Sequence, residues 1–508
     1  MRTLIRGGWV VGHSGTTHTL IRDGVVVYED DTIVHVGADF DGHVDREIDA
    51  ASRLVSPGFI DTHIHSGHRA AHRLITDAGR PEYFGQPFFE TLPARRGRPH
   101  GGDAGDWVKR AGEDEAAAQR RIDAATYTVA ELLRNGTTTF MDFGAQLPMQ
   151  QALLAESERL GIRAYLAPSY ASADWVGGED GRLVRDWDEE KGRRGLHAAI
   201  EFIDEHAGAA NGRIRGILIP FTTELMSLEL LRETRKAADS LGVPVSIHAA
   251  YNVVEFFQIV TEHGMTPIEL LDSVGLCASD VLIGHGNFVA ENPRMNYPAG
   301  RDLELMAEGG ATVSHCPINL ARRGRYLDSW ATYRKAGVNV ALGSDTFPRD
   351  MIMNMRCASL VGKIMSGSFL EATAAEVFEA ATVNATRVLR RDDLGRLAPG
   401  AKADIAIIDI SGRGTLRYGP VRDPIKSLVD VGVGDDVDTV IVDGIVRVEG
   451  GRVDGVDMAE VHRFGQEDAE RLWGGWRNWD VAERTAEEAS PWSFPLSGRS
   501  RRAPSDCA

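Results

Sequence analysis

The sequence predicts an α/β protein, a (β/α)8 barrel with a small β-sandwich built from both ends of the chain. Three observations predict it. Eight short apolar runs alternate with helical stretches between Ile60 and Asp345. Strand-like texture with Asp-Gly turns occurs near the two ends and not between them. Several of the central runs also finish on His or Asp, where a barrel strand would otherwise carry Val, Ile or Leu.

The chain has 508 residues, more than one ordinary core needs and enough for a large barrel plus a smaller domain. Hydrophobic residues make up 43% and charged residues 26%, a globular profile. The formal net charge is −18, which argues against nucleic acid as a partner, because phosphate contacts call for a basic excess. No apolar run reaches the roughly 18 residues that span a bilayer, so no membrane partner is expected. MRTLIRGGWVVGHSG does not read as a secretory signal. Cys277, Cys316, Cys357 and Cys507 are far apart and in no CxxC spacing, so the expected location is the reducing cytoplasm.

At the N-terminal end, TLIRGGWVV, IRDGVVVYEDDTIVHVG and ASRLVSPGF read as short strands separated by Gly and Asp turns. The same texture returns in ADIAIIDI and VDTVIVDGIVRVEGGRV. The expected domains are therefore 1–56 and 399–456 as the two parts of the sandwich, with 57–398 as the barrel. Residues 457–508 form a C-terminal extension, ending in a disordered SGRSRRAPSDCA.

The eight barrel strands are IDTHIH, TTTFMD, RAYLAP, IRGILIPF, VPVSIHA, DVLIGHG, ATVSHC and VNVALGSD. Before the second, QRRIDAATYTVAELLRNG sets Ile122, Ala125, Val129, Leu132 and Leu133 at helical spacing, with Gly136 as the cap. Continuous apolar strands alternating with helices indicate a parallel sheet, and eight of them a closed one. Two stretches stand outside the pattern. Ser66 to about Asp106 follows the first strand, as either a surface insertion or a lid over the barrel mouth. The tail holds Trp473, Trp476, Trp479 and Trp492, a helix for packing on the barrel or on a second subunit.

His63 and His65 are two apart on the first strand, so both imidazoles face one side. His248 ends VPVSIH, His285 ends DVLIGH, His315 ends ATVSH and Asp345 ends VNVALGSD. Any one of these is ordinarily a satisfied core residue. Together they suit a divalent metal, zinc first, with iron, manganese or cobalt as alternatives. Three imidazoles and a carboxylate leave a coordination position for water, whose pKa then falls towards about 7. Asp345 can take the water's proton, and a remaining His can polarise the substrate.

With PGFIDTHIH, AELLRNGTTTFMDFG, SIHA, GHGN, SHCPINL, LGSDTFP, ATVNATRVL and LGRLAPGAKADIAIIDI on the page, the chain resembles the amidohydrolase superfamily. Within it the likeness is to cytosine-deaminase-like enzymes and triazine hydrolases. That resemblance implies His63, His65, His248 and Asp345 as metal ligands and His285 as the catalytic histidine beside Asp345. His315 then lines the pocket, with Tyr251 and Phe347 also facing the substrate. Binuclear branches carry a lysine on the fourth strand; IRGILIPFTTEL has none, which implies one metal. Deaminases of this branch also carry a glutamate three residues after the fifth-strand histidine. Here that position is Tyr251, and Glu224 and Glu255 match no motif.

The expected function is therefore hydrolysis of a C–N bond (amide, urea or carbamate) in a small aromatic or heterocyclic substrate. Deamination or dehalogenation of such a ring is the alternative, and a non-catalytic binding protein on the same fold is the third. Phe347, Arg349 and Asp350 stand where the relatives show small residues and asparagine, and Arg322 and Arg323 read as surface cations first, with pocket cations for an anionic or carbonyl substrate as the alternative. A homo-oligomer, dimer or larger, is expected from the family.

Overall fold

A computed structural model of the chain describes residues 1–67, 77, 115–177, 183–412, 416–478, 480 and 482–497. All of the expected insertion from Ser66 to about Asp106 except Ser66, Gly67 and Asp77, most of the disordered end, and Trp479 lie outside the described residues.

The two β-rich ends join into one sheet. Strands β1 (Arg2–His13), β2 (His18–Arg22), β3 (Val25–Glu29), β4 (Thr32–Gly37) and β5 (Arg46–Pro57) come from the N-terminal end. β5 runs parallel to β1, and its other edge pairs antiparallel with Ile405–Ile408, in the register Ile405↔Pro57 to Ile408↔Leu54. Alternation explains the pairing: Ile5, Val10, Val26, Val55, Ile405, Ile407 and Ile441 share one buried apolar cluster.

All eight central strands form where expected. They are β6 (Phe59–Ile64), β7 (Thr137–Asp142), β8 (Arg163–Leu166), β11 (Ile214–Gly216), β12 (Val245–Ala249), β13 (Val281–His285), β14 (Thr312–His315) and β15 (Asn339–Leu342). The hairpin β9 (Ala173–Gly177) and β10 (Leu183–Trp187) intervenes after β8 and was not expected. The eight pair in parallel as two four-stranded sheets, β11-β8-β7-β6 and β12-β13-β14-β15. Isolated parallel bridges join the sheets at both edges: Leu218↔Val245 and Thr222↔His248 on one side, Ile64↔Asp345 on the other. Every residue of β6, β7, β12 and β13 is buried, as strands covered on both faces must be. The chain then returns to the large sheet through β16 (Ile405–Ile408), β17 (Val437–Val442), β18 (Ile445–Glu449) and β19 (Arg452–Val453).

The helix before β7 spans Glu115–Arg134 and buries Ala125, Val129, Leu132 and Leu133. Ile122 departs from the expected face and is 40% exposed, one turn before the helix meets the core. Gly136 takes φ +87, a conformation costly for a side-chain-bearing residue, and its N–H donates to Leu133. In the tail, the helix Met458–Gly474 packs on this same helix, with Gly465 against the Tyr127 ring. The tail helix thus covers the chain's own body.

Buried charge ties the large sheet to the start of the parallel strands. Arg163, the first residue of β8, donates from Nε to Asp404 Oδ2 at 2.6 Å and also reaches Asp443. Arg213 adds a 3.3 Å contact to Asp443, and the Asp443 N–H donates to Asp404 at 2.9 Å.

Candidate metal centre

The first and last central strands hold each other's ends. Asp345 N–H donates to His63 O and His65 N–H donates to Asp345 O, both at 2.8 Å. Gly343 makes that approach possible, since a Cβ there would stand 2.8 Å from His63 Cβ. Below them, buried Asp61 accepts from Ser344 N–H at 3.0 Å and from the Ser344 hydroxyl. Burial raises the Asp61 pKa to about 6 against these hydrogen bonds. Arg349 is fully buried, pairs with Glu131 at 2.9 Å, and donates to His65 O at 3.0 Å. Asp350 caps the next helix through Ile352 and Met353 and reaches Gly434 N–H. These two residues are struts behind the site.

The strand ends bring five predicted residues together. His63 and His248 place their Nε2 atoms 3.1 Å apart. His65 Nε2 lies 3.5 Å from Asp345 Oδ1, and His285 Nε2 lies 3.8 Å from Asp345 Oδ2. The rings of His63 and His248 are each 5.0–5.3 Å from those of His65 and His285. Ligand atoms of His63, His248 and His285, and of His63, His65 and Asp345, fall within 4.8 Å of one another. His285 and Asp345 have φ +75 and +62, in the left-handed region that non-glycine residues avoid. Such strain persists where surrounding structure enforces it and gathers at functional sites.

Burial sets the protonation states. It pushes His63 well below its usual pKa, and His65 and His285 down to about 4. These imidazoles are neutral at pH 7 and offer lone pairs. Burial also raises Asp345, and the nearby Arg323 charge and the Asn319 hydrogen bond oppose that. Two neutral ring nitrogens facing at 3.1 Å beside a carboxylate fit a divalent cation: its charge would satisfy the acceptors and hold Asp345 ionised.

The other predicted residues sit around this cluster. His315 is buried with its ring 6.3 Å from Trp330, outside the convergent donor groups, and burial lowers it to about 3. Tyr251 lies with its ring 5.5 Å from His248 and 6.3 Å from His285, and its hydroxyl donates to Glu224 Oε1 at 2.5 Å. Trp175 of β9 donates to the same oxygen at 3.3 Å. Glu255 accepts from Ala250 and Tyr251 N–H at 2.9 and 2.8 Å, which shapes the turn after His248. Burial, with Glu224 adding, raises Glu255 to about 8. Phe347 is buried under the Arg322 guanidinium at 4.0 Å, and its carbonyl accepts from Arg322 at 2.6 Å.

One expectation is corrected and two residues are added. Arg322 is exposed as expected, but Arg323 is not a surface cation: its charge acts on Asp345, His65 and His285. Asn319 donates its amide to Asp345 Oδ2. Its only signal was its place in SHCPINL, since a neutral amide carries no metal chemistry. Phe143, just after β7, packs its ring at a tilt against His248, centroids 3.9 Å apart, and His63, 4.8 Å apart, giving the cluster an apolar wall.

The profile of the amidohydrolase family matches residues 54–446. The chain belongs to the amidohydrolase family. As an amidohydrolase it is a metal-dependent hydrolase of C–N bonds other than peptide bonds. It is 30% identical over 450 residues to a 5-methylthioadenosine/S-adenosylhomocysteine deaminase of Thermococcus sibiricus, covering 88% of this chain and 94% of that one. It is 28% identical to a 5'-deoxyadenosine deaminase of Methanosarcina mazei, over 89% and 94% of the two chains. Among solved structures, an adenosine deaminase from Xanthomonas campestris with bound zinc matches with TM-score 0.73 and 21% identity, over 92% and 98%. An atrazine chlorohydrolase from Arthrobacter aurescens complexed with zinc matches with TM-score 0.73 and 22% identity, over 92% and 100%. These two likenesses bear on the amidohydrolase fold.

Proposed function

We propose that the chain is a mononuclear hydrolase with its site at the mouth of a closed (β/α)8 barrel. The two end regions, 1–56 and 399–456, make the sandwich beside barrel 57–398, and 457–508 is an appended extension. His63, His65, His248 and Asp345 hold one divalent ion, zinc by preference. The observation that carries this reading is the convergence of these groups from β6, β12 and β15, with neutral imidazoles facing each other at 3.1 Å. The fourth central strand has Arg215 and no lysine to bridge a second ion.

When bound, the ion supplies a Lewis acid that brings the pKa of a bound water to about 7. Asp345, steered by the Asn319 amide, accepts the proton from the attacking water. His285, with its Nε2 3.8 Å from the same carboxylate oxygen, polarises the scissile group. Tyr251 stands at the position where related deaminases carry glutamate and passes the leaving-group proton with Glu224, its partner at 2.5 Å. His315 and Phe347 line the substrate side. The favoured bond is an amide-, urea- or carbamate-type C–N bond on a small aromatic or heterocyclic compound.

The named relatives favour a second reading, removal of an amino group from a heterocycle such as an adenine nucleoside. Product analysis separates the two: ammonia supports deamination, and a carboxylate with a larger amine supports the first reading. Released halide would mark ring dehalogenation. The cysteine usage supports a cytoplasmic location, and a homo-oligomer follows the family habit. For the site itself, His63→Ala and Asp345→Ala are expected to lose metal and turnover together, checked by elemental analysis beside a screen of amides, ureas and amino-heterocycles. Turnover with full metal content in either variant rejects the assignment.

A further inference from the structure

The segment leaving β14 carries two arginines that the hydrolytic chemistry does not use. After the short helix Pro317–Ala321, Arg323 and Arg325 flank Gly324, which takes φ +64. Both arginine N–H groups donate to the same carbonyl, Leu320 O, at 3.0 Å, so the backbone between them is pinned as a tight turn. Arg325 is 8% exposed, and both of its terminal nitrogens, Nη1 and Nη2, are buried with no hydrogen-bond partner. Its guanidinium stands 5.7 Å from the Phe288 ring, on the loop after β13. Arg323 likewise has no carboxylate within ion-pair reach among the described residues.

A buried guanidinium without a partner costs several kcal/mol, so a fold keeps one only where something else supplies the missing acceptor. The pair's charges reach across the site. Arg323 acts on Asp345, His65 and His285, and Arg325 acts on Arg323 and Tyr251. Two mutually repelling cations therefore stand within electrostatic range of the eighth-strand aspartate and of Tyr251. Glu224 and Glu255, the acids beside Tyr251, are already engaged by Tyr251, Trp175 and backbone N–H groups. The planar fork of each arginine matches a carboxylate, which can accept paired N–H bonds.

We propose that Arg323 and Arg325 form a carboxylate-binding subsite, so that the C–N substrate of this enzyme carries a carboxylate set apart from the bond that is cleaved. The inference rests on the hydrolase reading above and narrows its substrate class. The anion neutralises the pair and orients the scissile bond over Asp345 and His285. A neutral analogue of the same shape leaves both guanidiniums unpaired and is rejected.

The test uses the full-length, metal-loaded protein with benzoate as probe and benzamide as its neutral counterpart, titrated by calorimetry. Wild type is expected to bind benzoate at least about tenfold more tightly than benzamide, a factor worth about 1.4 kcal/mol. Arg323→Met and Arg325→Met are each expected to erase that preference while leaving benzamide binding unchanged. Because Arg325→Met removes an unpaired buried charge and Arg323→Met a partly buried one, the Tm of the unliganded variants is expected to equal or exceed that of wild type. Unchanged benzoate affinity in either variant overturns the proposal. So does a Tm fall of several degrees, which would mark the arginines as structural. The metal reading is tested apart from this, by metal content in His63→Ala; that variant is expected to keep the arginine-dependent preference, and loss of the preference with folding intact overturns the subsite.

Discussion

Arg163 and Arg325 are both buried guanidiniums, 2% and 8% exposed, at opposite ends of the parallel strands. Where β8 begins, Arg163 is gripped by Asp404 and Asp443, and those acids by backbone and Arg213. Beyond the end of β14, Arg325 has no acceptor for either terminal nitrogen. The imidazoles repeat the contrast: His63 and His285 converge on the site with buried Nδ1 atoms that lack partners. One end of the strands closes its electrostatics within the chain and fastens the large sheet to the rest. The other end leaves acceptors and cations open to what arrives from outside. Buried charge is structural where it is matched and functional where it is not.

That contrast can be broken by exchanging losses between the two ends. Asp345→Asn keeps the strand-end backbone bonds but removes the proposed proton acceptor. It is expected to lower kcat by about 10³–10⁴-fold with Tm held or raised, and a variant that unfolds instead would make Asp345 a structural residue. Arg163→Met strands two buried aspartates and is expected to cost about 3–5 kcal/mol in chemical denaturation. Its metal content should stay that of wild type while it remains folded. Equal stability to wild type would remove the claim that this end is a fastening.

His285 gives a pH-dependent version. Burial holds it at about 4, against an ordinary 6.5, so the unfolded chain takes up its proton first as pH falls. Its contribution is complete above pH 6.5 and is lost as pH falls through about 4. In the metal-free protein, His285→Asn should remove about 3 kcal/mol of acid sensitivity over that window. Superimposable acid profiles for variant and wild type would contradict the buried, neutral state. The smallest effect is at the proposed proton relay. Tyr251→Phe removes the hydroxyl on Glu224 and is expected to lower kcat about 10–100-fold with KM little changed. Tyr251→Glu should not raise turnover of the native substrate; a large gain would make the tyrosine a defect rather than a specialisation.

The strands and the cluster of imidazoles with Asp345 were legible because their physics is local. Strands buried on both faces read as apolar runs, and a polar residue at the end of each is conspicuous. The hairpin β9–β10 was not, since its two short strands break the strand–helix alternation and alternate in burial. Ile122 shows the limit of helical spacing, which gives the apolar stripe but not the turn at which packing begins. Arg323 was misplaced because its direction depends on Gly324 and Leu320 O, a turn that one-dimensional spacing does not encode. Asn319 and Glu224 matter through contacts, to Asp345 and to Tyr251 and Trp175, that arise only when separate segments of the chain meet.

The central claim is that imidazoles and one carboxylate from β6, β12 and β15 share a single ion. Elemental analysis of purified wild type beside His63→Ala tests it most directly. One divalent metal per chain in wild type, and none in the folded variant, is the predicted result. A wild type that binds two ions or none, or a variant that keeps its full complement, would contradict it.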